Sequence, residues 1–178
     1  LTEKELILGC LREDRAIQKE FFRKYAGKML GVSRRYARHE LEAEDILQDA
    51  FVKVFNNLSK FQHKGSLEGW IRRIVVNTAL KNFQRKSYTN ERIGLNPMDD
   101  RPIDPTAITD LGEQDILDLI KDLPDGYRVV FNMYVIEGYS HREIAEKLEI
   151  GESTSRSQLV KARKMLMNRI TKLQSILL

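Results

Sequence analysis

Residues 140–166 read SHREIAEKLEIGESTSRSQLVKARKML. Ser140 and Glu143 stand three apart ahead of an apolar stripe, the pattern of a capping box. They open a short helix containing Ile144, Ala145 and Leu148. Ile150-Gly151-Glu152 follows as a tight turn, with Gly151 free to take a positive φ. Ser153 is suited to cap a last helix whose inner face is Leu159, Ala162 and Leu166. A short capped helix, a glycine-containing turn and a longer basic helix together predict a helix-turn-helix.

The outer side of that last helix carries the chemistry. Arg156, Val160 and Arg163 fall at i, i+4, i+7, and Ser157, Lys161 and Lys164 form the neighbouring stripe. A helix that enters a major groove needs one face for the core and one for bases and phosphates. Arg donates two hydrogen bonds to a guanine, while Ser and Lys more often meet phosphate. Ser153 and Thr154 stand at the helix start, where backbone N–H groups attract phosphate. The plain competitor is a surface helix of an α-bundle.

Upstream, Asp115–Leu123 reads as a short helix stopped by Pro124, and Pro124 starts another that ends near Gly138. Before these, Pro97, Pro102 and Pro105 fall within nine residues, among Asn90, Gly94, Asn96 and a run of Asp. Such composition breaks helices, so residues 88–112 read as a flexible linker between an N-terminal unit, 1–87, and a C-terminal unit, 113–178. A coil of ~25 residues spans only ~25–30 Å, whereas two duplex contacts two turns apart need ~70 Å. The linker must be extended, or a partner must hold the units apart. Its carboxylates, with Asp99, Asp100 and Asp104 among them, are suited to follow a positively charged path on that partner.

The N-terminal unit reads as helices throughout. Thr2-x-x-Glu5 is a second capping box. Asp14 can cap a helix presenting Ile17, Phe21, Phe22 and Tyr25. A third helix, about Glu42–Leu58, has an apolar stripe of Ile46, Ala50 and Val54 or of Phe51, Phe55 and Leu58. A fourth runs from Ser66 as N-cap to about Lys86, with Leu67, Trp70 or Ile71, Ile74, Val75, Leu80 and Phe83 as its stripe. The fold class is therefore all-α, two small helical domains joined by a flexible linker.

Two polar faces stand out in this unit. Asp45, Gln48, Asp49 and Val52 share the side of the third helix opposite Ile46, a face suited to a basic protein helix or simply to water. Arg73, Asn77, Lys81 and Arg85 follow at i+4 steps on the fourth helix, a basic ridge with one amide able to read a base edge. The preceding stretch, Lys60-Phe61-Gln62-His63-Lys64-Gly65-Ser66, sets an aromatic among basic residues ahead of a helix start, an arrangement that can hold an unstacked base and a strand backbone. Trp70 is either core or part of that pocket.

Charge is segregated. Lys60–Lys86 carries seven bases and one acid, Asp99–Asp125 nine acids and two bases, and Ser153–Leu178 six bases and no acid. Two basic surfaces on one chain suggest two contacts with one polyanion, on a background net charge of only +4. The longest apolar run is four residues, Met133–Ile136, far short of the ~20 that a spanning helix needs, and no signal peptide or membrane span is expected. Cys10 is the single cysteine, and His39, His63 and His141 lack a ligand spacing, so neither an internal disulfide nor a metal site is expected. No nucleophile–base pair or phosphate-cradling Gly loop is visible, so no enzyme, cofactor or small-molecule substrate is expected. Besides a two-site binder of one polyanion, the residues allow a stand-alone helix-turn-helix regulator or a helical adaptor for proteins alone.

AEDILQDAFVKVF (43–55), GSLEGWIRRIVVNTALKNFQRK (65–86) and LPDGYRVVFNMYVIEGYSHREIAEKLEIGESTSRSQLVKARKML (123–166) together resemble bacterial RNA polymerase sigma factors of the extracytoplasmic-function type. The resemblance spans nearly the whole chain outside the linker. It implies region two over 1–87 and region four over 113–178. It implies that Asp45, Gln48 and Asp49, with Phe51, dock on the clamp helices of core RNA polymerase, and that the short helices of region four grip the flap. Phe61, Lys64, Ser66, Arg73, Asn77 and Lys81 would melt and capture the minus-ten element of promoter DNA. Ser153, Thr154, Arg156, Ser157, Val160 and Lys161 would bind the minus-thirty-five duplex. An anti-sigma factor is the further partner that the family implies, with a cytoplasmic location in a bacterium and retention at the membrane through that partner as one variant. The sequence departs from the family pattern at Leu67, where an aromatic is usual, and at Val160, where some relatives carry one.

Overall fold

The computed structural model describes residues 1–93 and 113–176, and every regular element among them is helical. Local chemistry starts most of the helices. Thr2 Oγ1 accepts from the Glu5 N–H while the Glu5 carboxylate accepts from the Thr2 N–H, and this box opens α1, Glu3–Leu11. The Thr2 N–H and the Thr2 hydroxyl both donate to the Glu5 carboxylate and hold it below its ordinary range. Asp14 Oδ1 accepts from the N–H groups of Ala16 and Ile17 and starts α2, Arg15–Tyr36. His39 Nδ1 accepts from the Glu42 N–H and starts α3, Glu40–Asn57, two residues earlier than the apolar pattern suggests. A 3-10 turn, Leu58–Lys60, closes α3.

Ser66 Oγ accepts from the Gly69 N–H ahead of α4, Leu67–Ile93, which runs past the expected end at Lys86. The chain divides into two compact units between Phe83 and Gln84, inside α4 rather than after residue 87. Most of the expected linker, with Asp99, Asp100 and Asp104, lies outside the described residues.

In the first unit, α2 packs against α1 and α3. Phe21, Met29, Ala50, Val54, Leu67, Ile71 and Val75 are buried almost completely. Each large apolar side chain so enclosed contributes about 1.5–3 kcal/mol. Between the two stripes read for α4, packing selects the one through Ile71; Trp70 stays half-buried. Gly9 lets α1 approach α2 closely, since a Cβ there would lie 2.2 Å from Ile17 Cδ1. Polar ties join α3 to α4: Asn82 Nδ2 donates to Glu42 Oε1 at 3.0 Å and Lys53 Nζ to Thr78 Oγ1 at 3.0 Å.

In the second unit, α5 (Glu113–Lys121), α6 (Asp125–Phe131) and α7 (His141–Leu148) pack on α8 (Glu152–Ile176). Arg128 is buried, and its guanidinium is neutralised by Asp125 at 2.9 Å while donating to the Lys121 carbonyl at 3.0 Å. A buried charge is tolerable only when paired and hydrogen-bonded in this way. Helix α6 widens into a π-helical turn at Asn132–Ile136 and ends at Gly138, whose φ of +78° a glycine adopts without strain. The capping box of Ser140 and Glu143 opens α7, and the Ser140 N–H and hydroxyl, both donating to the Glu143 carboxylate, hold it low.

The turn between α7 and α8 corrects two expectations. The positive φ falls on Glu149, at +56°, and not on Gly151. The end of α7 demands a left-handed residue directly after Leu148, because both Glu149 and Ile150 donate back to the Ala145 carbonyl. Helix α8 then begins at Glu152, with the Ser155 N–H bonded to the Gly151 carbonyl, so Ser153 lies in its first turn rather than at the cap. An acid in that turn suits the helix dipole.

Candidate nucleic-acid interfaces

Three polar faces emerge from these helices. On α3, the i, i+4 buried series Ile46, Ala50, Val54 fixes which side meets the core. The opposite side must then present Asp45, Gln48, Asp49 and Val52, and all four are exposed. Apolar Leu41, 70% exposed, and Val52, 59% exposed, bracket the carboxylates. Among the described residues neither Asp45 nor Asp49 forms an ion pair. Phe51 does not share this face. It is 3% exposed and meets the Phe22 ring edge-on at 4.7 Å, so it supports the face from below.

The second face is the start of α4 and the loop before it. Gly65 takes a φ of +94° and His63 a φ of +56°, which folds residues 61–66 tightly over the helix end. Lys64 and Ser66 are exposed there, as are Arg73, Asn77 and Lys81 along the next turns of α4. The rise of 1.5 Å per residue puts Arg73 and Lys81 about 12 Å apart along the helix. Packing corrects the reading of Phe61. It is 7% exposed, with its ring against Trp70 at 5.5 Å and His63 at 4.7 Å. Its ring is covered by these neighbours, while the His63 residue is exposed. Leu67, likewise, is fully buried and offers no surface to a base.

The third face is α8. Burial of Ser155, Leu159 and Ala162 turns Arg156, Ser157, Val160, Lys161, Arg163 and Lys164 outward. Val160 is 64% exposed in the middle of this stripe, an apolar group suited to a thymine methyl. Ser153 and Thr154 are exposed at its start. The positive side chains are pre-aligned: Lys161 Nζ lies 5.9 Å from the Tyr127 ring centroid, and the Arg163 guanidinium 5.9 Å from that of Tyr134. Arg156 Nη2 is held by Glu152 one turn back, and Ser157 Oγ donates to the Thr154 carbonyl at 3.0 Å.

Sequence reasoning missed Glu152, Tyr127, Tyr134 and His141 around this face. The Glu152–Arg156 spacing of i, i+4 was a usable signal. The others come together only through packing. His141 stacks on Tyr134 with ring centroids 4.4 Å apart, and its Nδ1 lies 2.9 Å from Ser155 Oγ. Burial first, then the charges of Arg156 and Arg163 against an opposing pull from Glu152, lower the His141 pKa.

No cluster of three His, Cys, Asp or Glu side chains suited to a metal exists among the described residues. Nor is any helix among them long and apolar enough to cross a membrane.

Residues 21–89 match the family described as Sigma-70 region 2, and residues 113–166 match Sigma-70, region 4. The chain is 28% identical to the ECF RNA polymerase sigma-E factor of Haemophilus influenzae, over 96% of each chain. It is 24% identical to the RNA polymerase sigma-H factor of Pseudomonas aeruginosa, over 90% of each. In fold it is similar to the sigma factor RpoE from Bartonella quintana, solved with the anti-sigma factor NepR. That likeness has a TM-score of 0.54 at 18% identity and covers 86% of this chain and 96% of the other.

Proposed function

We propose, for a chain that belongs to the sigma-70 family and to its extracytoplasmic-function type, that it binds core RNA polymerase and directs promoter-specific initiation. The observation that carries this reading is the presence of both family regions, in order, in one chain. The exposed acidic face of α3 and the basic faces of α4 and α8 support it.

Each face has one task. Asp45, Gln48 and Asp49 meet a basic helix of the polymerase, with Leu41 and Val52 adding apolar contact. The loop 61–66 with Arg73, Asn77 and Lys81 holds the minus-ten element as single strand: the cations follow the backbone, and the Asn77 amide meets a base edge. The α8 stripe of Arg156, Ser157, Val160 and Lys161 enters the major groove of the minus-thirty-five element, with Ser153 and Thr154 at a phosphate. Neither unit needs to bind tightly by itself, because linkage through the polymerase raises the effective concentration of the second contact. The chain performs no reaction of its own; catalysis belongs to the polymerase. An anti-sigma protein restrains it, by analogy with the complex of the Bartonella relative, and its place is the bacterial cytoplasm.

The test is titration of the labelled chain into core polymerase stripped of sigma, beside the variant Asp49→Arg. Wild type is expected to bind and the variant to bind far more weakly. Equal affinities would remove the α3 face from the interface, and no binding by wild type would overturn the proposal.

A further inference from the structure

A polar link inside the helix-turn-helix lies behind the reading face. His141 opens α7, and Ser155 lies one turn into α8. Ser155 is fully buried, and its Oγ sits 2.9 Å from His141 Nδ1. The hydroxyl therefore has no water to fall back on, and the bond is costly to leave unmade. On its other side the His141 ring stacks on Tyr134, from the π-helical turn, with planes 21° apart. The Arg163 guanidinium lies 5.9 Å from the same Tyr134 ring. Three elements thus meet at one imidazole, and the contacts end at Arg163 and at the neighbour of Arg156, both in the exposed basic stripe of α8.

Helices α7 and α8 also pack on each other, and Ile144 and Leu148 of the one and Leu159 and Ala162 of the other are buried apolar side chains. Apolar contact is non-directional and tolerates small rotations, whereas a buried hydrogen bond tolerates only a few tenths of an ångström. We infer that His141 is a positioning residue for duplex recognition: through Ser155 and Tyr134 it fixes the rotation of α8 against α7, and so the direction in which Arg156 and Arg163 project. The inference rests on the proposal that α8 enters a duplex. Burial and the nearby Arg156 favour the neutral ring, which is joined to the Ser155 hydroxyl through Nδ1.

The probe is a duplex pool selected from random sequence by the wild-type chain on core polymerase, compared with unselected duplex of equal length. His141→Leu and Ser155→Ala should each lower the selected-to-random affinity ratio about 3- to 10-fold, and the double variant no further. His141→Asn, whose side-chain amide can stand in for Nδ1 as acceptor or donor, should restore the ratio. Equal losses on both duplexes, additive single effects or failure of His141→Asn to rescue would each overturn the inference. If the wild-type complex selects no sequence at all, the proposed function fails and hydrogen exchange at residues 156–161 decides the link. Faster exchange in His141→Leu and Ser155→Ala but not in His141→Asn would uphold it, and unchanged exchange in all three would overturn it.

Discussion

Replacing Arg156 with Ala separates recognition from folding, because the structure assigns very different sizes to the two effects. The Arg156 side chain is 60% exposed and its partner Glu152 is 44% exposed, one helical turn apart. Such a pair contributes only about 0.3–0.5 kcal/mol to the helix. Unfolding of Arg156→Ala in urea should therefore stay within about 0.5 kcal/mol of wild type. A guanidinium that donates twice to a guanine discriminates by about 1–3 kcal/mol, or roughly 5- to 150-fold in affinity. The assay is fluorescence anisotropy of a labelled minus-thirty-five duplex with the full chain on core polymerase, repeated with single base-pair changes and across salt. Base reading predicts that one position loses its preference in the variant while the others keep theirs. If the variant weakens every sequence equally and the log–log salt slope falls by about 0.9, Arg156 holds a phosphate instead. A loss below about two-fold on all duplexes would refute any role at the contact. Glu152→Gln is the complementary probe. It frees Arg156 and removes a carboxylate from the side that approaches phosphate, so duplex binding should tighten about two-fold while the helix loses about 0.3–1 kcal/mol of dipole stabilisation.

Other perturbations test the scaffold. Gly9→Ala drives a Cβ to within 2.2 Å of Ile17 Cδ1 and 2.9 Å of Ile17 Cβ, so urea unfolding of the first unit should show a loss of about 1–3 kcal/mol. Glu149→Gly relieves a left-handed residue and removes an acid from the C-terminal end of α7, so thermal unfolding should show a gain of about 0.5–1 kcal/mol. Burial, with the charge of Asp14, pushes the Cys10 thiol up to about 11. At pH 8 only about one thiol in a thousand is then ionised, so alkylation of the folded chain should be slow and should accelerate sharply in denaturant. The depressed His141 pKa sets a sign as well. The folded state binds fewer protons there than the unfolded chain, so its contribution to stability is lost as pH falls below about 6.5, and NMR titration should find the ring less than half protonated at that pH.

The helix starts were legible because their chemistry is local. Thr2 with Glu5, Asp14 with Ala16, and Ser140 with Glu143 are bonds spanning two or three residues, and no distant partner is needed to form them. Exposure of Asp45, Gln48 and Asp49, and of Arg156 and Lys161, followed in the same way from the period of 3.6 once the apolar side was known. Where two apolar stripes competed, as at Trp70 and Ile71, periodicity could not choose, because the choice belongs to the helices that pack against them.

Order of the helices, the caps at Thr2, Asp14, Ser66 and Ser140, the segregation of charge and the helix-turn-helix pattern were determined by sequence alone, since each rests on neighbours within a turn or two. Packing decided the rest. It buried Phe51 and Phe61 under their faces, because the rings of Phe22 and Trp70 arrive from other elements. It moved the left-handed residue of the turn to Glu149, because the Ala145 carbonyl needs donors directly after Leu148. It also joined His141 to Ser155 across 14 positions and seated Tyr134 between helices. Contacts of that range depend on how two surfaces meet in space, and no local pattern encodes the meeting.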